Sequence, residues 1–186
     1  MLWIKRRAIL ALFFLVFTLP SFAQSPKSLS LDNISTLIRD GVTPNRDNSG
    51  IDAQLWPLLL TDAPETWRVS LRYVEEHYAV KGGFDFNEDR DGNWWEGTAQ
   101  AALVYRALDG TADADRLLAK IGKQLKPGGF IRAASWQKVT TGLALSPKSA
   151  FADFYYYGLP HLGATAWAAL AAIGWNPFTG RKLDDR

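Results

Sequence analysis

Three short segments constrain this chain most: IDAQLWPLLL over 51–60, an alanine-rich run over 94–108 that contains TAQAALVYRAL, and GATAWAALAAI over 163–173. Each is apolar nearly all round. A helix without a polar face is stable in water only when other elements enclose it. Each segment is also well short of the roughly 20 residues that cross a bilayer. They are expected as inner helices of a globular core, with Pro57 kinking the first or marking its register.

The segments between them are of another kind. Over 65–78 the apolar positions Trp67, Leu71 and Val74 interleave with Arg68, Arg72, Glu75 and Glu76. Over 112–125, Leu117, Leu118, Ile121 and Leu125 share one face. Both have helical spacing with a wet side. Asp62 and Glu65 around Pro64 read as a capping box for the first of them. Gly82-Gly83-Phe84 recurs as Gly128-Gly129-Phe130, and the apolar segments contain the similar triplets Asp52-Ala53-Gln54, Thr98-Ala99-Gln100 and Thr165-Ala166-Trp167. Enclosed helices that alternate with amphipathic ones, with long loops at one end, are the pattern of stacked αα-hairpins. No segment shows sustained period-2 alternation, so the expected class is all-α.

The first 23 residues stand apart. Lys5, Arg6 and Arg7 precede an apolar run over 8–19, and Ser21-Phe22-Ala23 supplies the small residues of a cleavage site. That is the pattern of a secretory signal peptide, and the mature chain is expected outside the cytoplasm, periplasmic or secreted, with no stable membrane span. Residues 24–46 form a leader with one short helix over 31–40 and a linker. The targeting segment holds three of the 21 basic residues and none of the 19 acidic ones, so the basic excess disappears with it. No basic stripe points to nucleic acid. There is no cysteine, hence no disulfide and no thiol chemistry.

The stretch NEDRDGNWWEGTAQ, 87–100, concentrates the candidate chemistry. Cleaving a glycosidic bond takes two carboxyl groups, a proton donor with a raised pKa and a base or nucleophile. Glu96 is the candidate donor, because apolar neighbours such as Trp94 and Trp95 would penalise its charged form. Asn93 and Glu96 also fit a capping box, in which the glutamate only closes a helix start. Asp52, opening the first apolar helix, is the candidate partner. Asp85 and Asp91 are loop carboxylates able to bind or assist. Asn87, Asp89, Asp91 and Gly92 imitate the start of a calcium loop, but Thr98 stands where the bidentate glutamate belongs, so no metal is expected. Trp136, Tyr155 and Tyr156 offer faces on which sugar rings stack, and His161 could orient a hydroxyl or a carboxylate. Phosphate-loop, dinucleotide and serine-nucleophile signatures are absent, so no cofactor is expected.

WWEGTAQAALVYRAL and YYYGLPHLGATAWAALAAIGWNPF resemble the C-terminal part of the six-hairpin glycosidases, and NSGIDAQLWPLL resembles the preceding inner helix of that family. The likeness spans roughly 47–178. It implies a partial (α/α)6-type toroid over 47–186 and a carbohydrate ligand, either cleaved or held by a non-catalytic binding or polysaccharide-assembly factor. A full toroid needs about twice this length. The resemblance therefore also implies a second copy or partner chain that completes the ring, or a piece of a longer enzyme. Asp91-Gly92-Asn93-Trp94 echoes the terpene-cyclase toroids, but those proteins' metal-binding cysteine is missing here.

Overall fold

The computed structural model describes residues 50–146, 148 and 154–184. The expected targeting segment over 1–23 and the expected leader helix over 31–40 lie outside the described residues.

Among the described residues five α-helices are seen: α1 (Ile51–Leu55), α2 (Arg68–His77), α3 (Trp95–Ala107), α4 (Thr111–Gly122) and α5 (Leu162–Ile173). Helix α3 is the axis of the fold and packs against α1, α4 and α5. It is buried along nearly its whole length, as its lack of a polar face requires. Leu103 and Val104 of α3 meet Ile51 and Leu55, Val74, Leu117, Ile121 and Trp167 in one continuous core.

The all-α expectation is overturned. The helices are joined by short strands paired into four two-stranded antiparallel sheets: β1 (Ala79–Val80) with β2 (Gly83–Phe84), β3 (Leu125–Lys126) with β4 (Phe130–Ile131), β5 (Lys138–Thr140) with β6 (Tyr155–Tyr157), and β7 (Trp175–Asn176) with β8 (Arg181–Lys182). The fold is mixed α/β, and the stacked αα-hairpin toroid falls with the all-α class. The recurring Gly-Gly-Phe stretches are hairpin turns and not loop texture. Gly82, Gly128 and Gly129 have φ of 101, 97 and 82°, the left-handed region that a tight turn needs and glycine reaches without strain. A strand of two or three residues is too short to show alternation, so periodicity could not reveal it.

Three local expectations also change. The 51–60 segment is one turn of α-helix followed by a 3-10 turn, Trp56–Leu59, because Pro57 has no N–H to continue the α ladder. The Asp62/Glu65 capping box does not form. A 3-10 turn, Glu65–Trp67, leads into α2 without a side-chain cap, and Glu65 pairs with Arg68 at 3.0 Å. Helix α5 is apolar all round, yet only Ala164, Trp167 and Ala171 are buried, while Leu162 and Ile173 stay more than half exposed.

Candidate active site

The first turn of α3 is fixed from three sides. Trp94 N–H donates to the Phe84 carbonyl at 2.8 Å, and Trp95 N–H donates to the Ala133 carbonyl at 2.9 Å. Buried Thr98 receives the Phe84 N–H at 3.0 Å and gives its hydroxyl proton to the Trp94 carbonyl at 2.9 Å. A side chain on Gly97 would strike Ile51 Cγ2 at 2.6 Å, so glycine there lets α1 lie directly on this turn. Asp52, one residue after Ile51, is thereby carried beside Glu96.

Glu96 projects from that turn, its side chain 15% exposed. It is not a cap. Trp94 is the N-cap residue and offers no side-chain bond, and the Asn93 amide donates to the Lys81 carbonyl at 3.2 Å. The Glu96 Oε2 lies 3.4 Å from His161 Nδ1. Burial, and then the charge of Asp52, push the Glu96 carboxyl up to about 7. Burial also raises Asp52, although its carboxylate accepts the Ala53 N–H at 2.9 Å. Backbone N–H donors favour the charged form, and of the two carboxyls Asp52 is the one they lower, from Ala53 and from its own residue. Asp52 is therefore the group that ionises first, and Glu96 keeps its proton towards neutrality.

His161 is the N-cap of α5. Its Nδ1 accepts the Ala164 N–H at 3.2 Å, and its backbone N–H donates to the Ile131 carbonyl at 2.8 Å. Burial lowers its pKa. A neutral imidazole next to a protonated carboxyl is a polar contact and not an ion pair. Tyr156 closes the group. Burial, then Glu96 and Asp52, hold its phenol well above the usual range, so it remains an O–H donor. Its ring packs against Trp94 (5.1 Å), Phe86 (5.6 Å) and His161 (5.8 Å). The hydroxyl thus belongs to a rigid aromatic wall.

The other expected site residues divide. Trp94 and Trp95 are buried, 2 and 4% exposed, and form the floor of the site, not a stacking platform. Asp85 lies in a second carboxylate group with Asp89 and Asp91, whose oxygens come within 4.8 Å of one another. These three could together hold a cation. Their oxygens already have protein donors: Phe86 N–H on Asp85 at 2.7 Å, Thr140 N–H on Asp91 at 2.9 Å, and the Thr140 hydroxyl on Asp89. Burial raises fully buried Asp85 to about 7. Trp136, 65% exposed, rests on Gly92 beside that group, where a side chain would meet its Cδ1 at 2.6 Å. Tyr155 packs under the Lys138 ammonium, 4.1 Å from its ring centre.

The sequence reading missed Phe86, the ring between Trp94 and Tyr156, and Gly163. A side chain on Gly163 would come within 2.8 Å of Glu96 Cδ and closer still to Oε2. A glycine one residue into an alanine-rich helix was the available signal, since glycine there costs helix stability and needs a reason.

No protein family, no curated protein and no solved structure matches the chain. Among the described residues no helix is long and apolar enough to cross a membrane. What fold and geometry define is a small mixed α/β protein with two carboxyl groups, a phenol and a neutral imidazole gathered at the start of its central helix.

Proposed function

We propose that this is an exported carbohydrate-active protein that hydrolyses glycosidic bonds in a polysaccharide or oligosaccharide. The observation that carries the reading is Glu96: a carboxyl held protonated to about pH 7 by burial, with a second carboxyl, Asp52, close enough to raise it further. Two carboxyls with their pKa values set apart by environment are what acid-assisted glycoside cleavage needs. Glu96 gives its proton to the departing glycosidic oxygen. Asp52, ionised first, activates water or attacks the anomeric carbon. Tyr156 donates to a sugar hydroxyl, and His161 keeps the Glu96 carboxyl oriented. The signal-like segment over 1–23 supports export to the periplasm or the medium.

The test is to incubate the purified protein, and separately its Glu96→Gln variant, with a panel of polysaccharides and to follow released oligosaccharides by mass spectrometry. Products from the wild type alone support the hydrolase. A folded wild type that retains a glycan without cutting it would replace this reading with a binding or assembly factor.

A further inference from the structure

The far end of α3 borders a second concavity, a cleft of about 740 Å3. Glu96 and Ala107 stand in the first and last turns of one helix, about 16 Å apart at ~1.5 Å per residue. The cleft is therefore separate from the carboxylate site. One wall runs from Leu58 to Arg68, the other is the β7–β8 hairpin, and the end of α3 at Leu108 lies between them. A buried bond joins the walls: Asn176 donates its Nδ2 to the Leu59 carbonyl at 2.6 Å, while its Oδ1 accepts the Phe178 N–H at 3.0 Å. The concavity is built into the fold, and its size is that of a small-molecule site.

Its charge selects a ligand class. Arg68, Arg181 and Lys182 line it, against Glu65 and Asp109. Glu65 is engaged by Arg68 at 3.0 Å. Arg181 and Lys182, exposed on β8, have no carboxylate within ion-pair distance among the described residues. Among the described lining residues, Asp109 is then the carboxylate left without an ion pair, against Arg181 and Lys182. Leu60, Leu108 and Phe178 give the same space apolar surface. We propose that the cleft is a second binding site, for a small organic anion whose acidic head sits at Arg181 and Lys182 and whose apolar body lies on Leu60, Leu108 and Phe178. A cation would meet two like charges there, and a fully polar anion would leave the apolar lining unused.

Two probes that differ only by an acidic group test this on the purified full-length chain: 8-anilinonaphthalene-1-sulfonate and the uncharged N-phenyl-1-naphthylamine. Fluorescence titration is expected to show one saturable site for the sulfonate and binding of the neutral probe weaker by about tenfold or more. The double variant Arg181→Glu, Lys182→Glu is expected to weaken the sulfonate by about tenfold and leave the neutral probe unchanged. Amide chemical shifts should move at Leu59, Thr61 and Thr179. Equal affinities for the two probes, an unmoved sulfonate affinity in the variant, or shifts confined to Leu162–Ile173 would each overturn the proposal. Circular dichroism checks that the double variant is folded, and Lys182→Ala carries the same comparison if it is not. None of these readings depends on glycan turnover, so the site stands or falls apart from the hydrolase reading.

Discussion

Gly163 leaves open the space that the Glu96 carboxyl group fills: a side chain at that position would lie within 2.8 Å of Glu96 Cδ. Helix α5 can approach α3 this closely only because residue 163 has no Cβ. The approach brings His161 to Glu96 and shields the carboxyl from water. Gly163→Ala sets two effects against each other. Alanine gains up to about 1 kcal/mol of helix propensity, and overpacking beside a carboxyl with little room costs about 1–3 kcal/mol. The clash falls on the far end of a flexible side chain, so a turn of the Glu96 carboxyl relieves much of it, and the net change in denaturant unfolding is expected to stay within about 1 kcal/mol. The proposed turnover should fall by about tenfold or more, since a carboxyl displaced by an ångström no longer meets the departing oxygen.

The Glu96 titration has a stability signature. Its folded carboxyl holds a proton up to about 7, above the ordinary 4.5 that applies to the unfolded chain. Between those values the native state binds more protons than the unfolded state at this group, so its contribution to stability is full below about 4.5 and is lost as pH rises towards 7. The fall is at most about 1.4 kcal/mol per pH unit. Asp85, also raised to about 7, adds a loss of the same sign. Asp52, raised by burial as well, contributes with the same sign, and Glu96→Gln removes one of these three titrations. Urea unfolding from pH 4 to pH 8 should show a shallower decline for the variant, and a gain over wild type of about 2 kcal/mol at pH 8. Parallel wild-type and variant curves would remove the raised carboxyl from the account.

How much of this was legible in advance follows from element length. Helices α3, α4 and α5 are long enough for composition and spacing to mark them, and the expected 94–108 and 163–173 segments coincide closely with Trp95–Ala107 and Leu162–Ile173. The strands are two or three residues long, and their pairing is a tertiary fact. Tyr155–Tyr157 reads as an aromatic loop until Lys138–Thr140 is found beside it. Glu96, Asp52, Tyr156 and His161 were each legible as residues able to do chemistry. Their convergence was not, because it depends on Gly97 and Gly163 admitting α1 and α5 to the same turn of α3. The burial of Trp94 and Trp95 was likewise hidden, since a tryptophan pair beside a glutamate suits a floor as well as a platform.

Thr98 joins β2 to the start of α3 and is wholly buried. Its Oγ takes the Phe84 N–H and returns its own proton to the Trp94 carbonyl. Thr98→Val keeps the shape and removes both bonds, leaving the Phe84 N–H unmatched inside the protein. An unpaired buried donor costs about 1–3 kcal/mol. Chemical denaturation should show that loss with an unchanged slope. Hydrogen exchange should quicken at Phe84 before it quickens in the middle of α3.

His161 has two duties at one nitrogen, and one substitution separates them. As N-cap it accepts the Ala164 N–H, and as neighbour of Glu96 it stands 3.4 Å from Oε2. Asparagine is a strong N-cap residue but is too short to fill the space beside Glu96. His161→Asn should therefore unfold within about 0.5 kcal/mol of wild type, whereas His161→Ala should lose about 1 kcal/mol with the cap. Both variants admit water to the Glu96 carboxyl and remove a group that favours its protonated form, so its pKa should drop below about 7 in each. A proton donor works only while protonated. The alkaline fall in kcat/KM of the proposed hydrolysis should accordingly move to lower pH in both variants, independently of their stabilities, and a 13C titration of the Glu96 carboxyl should move with it. An alkaline limb unchanged in His161→Asn would show that the imidazole serves helix α5 alone.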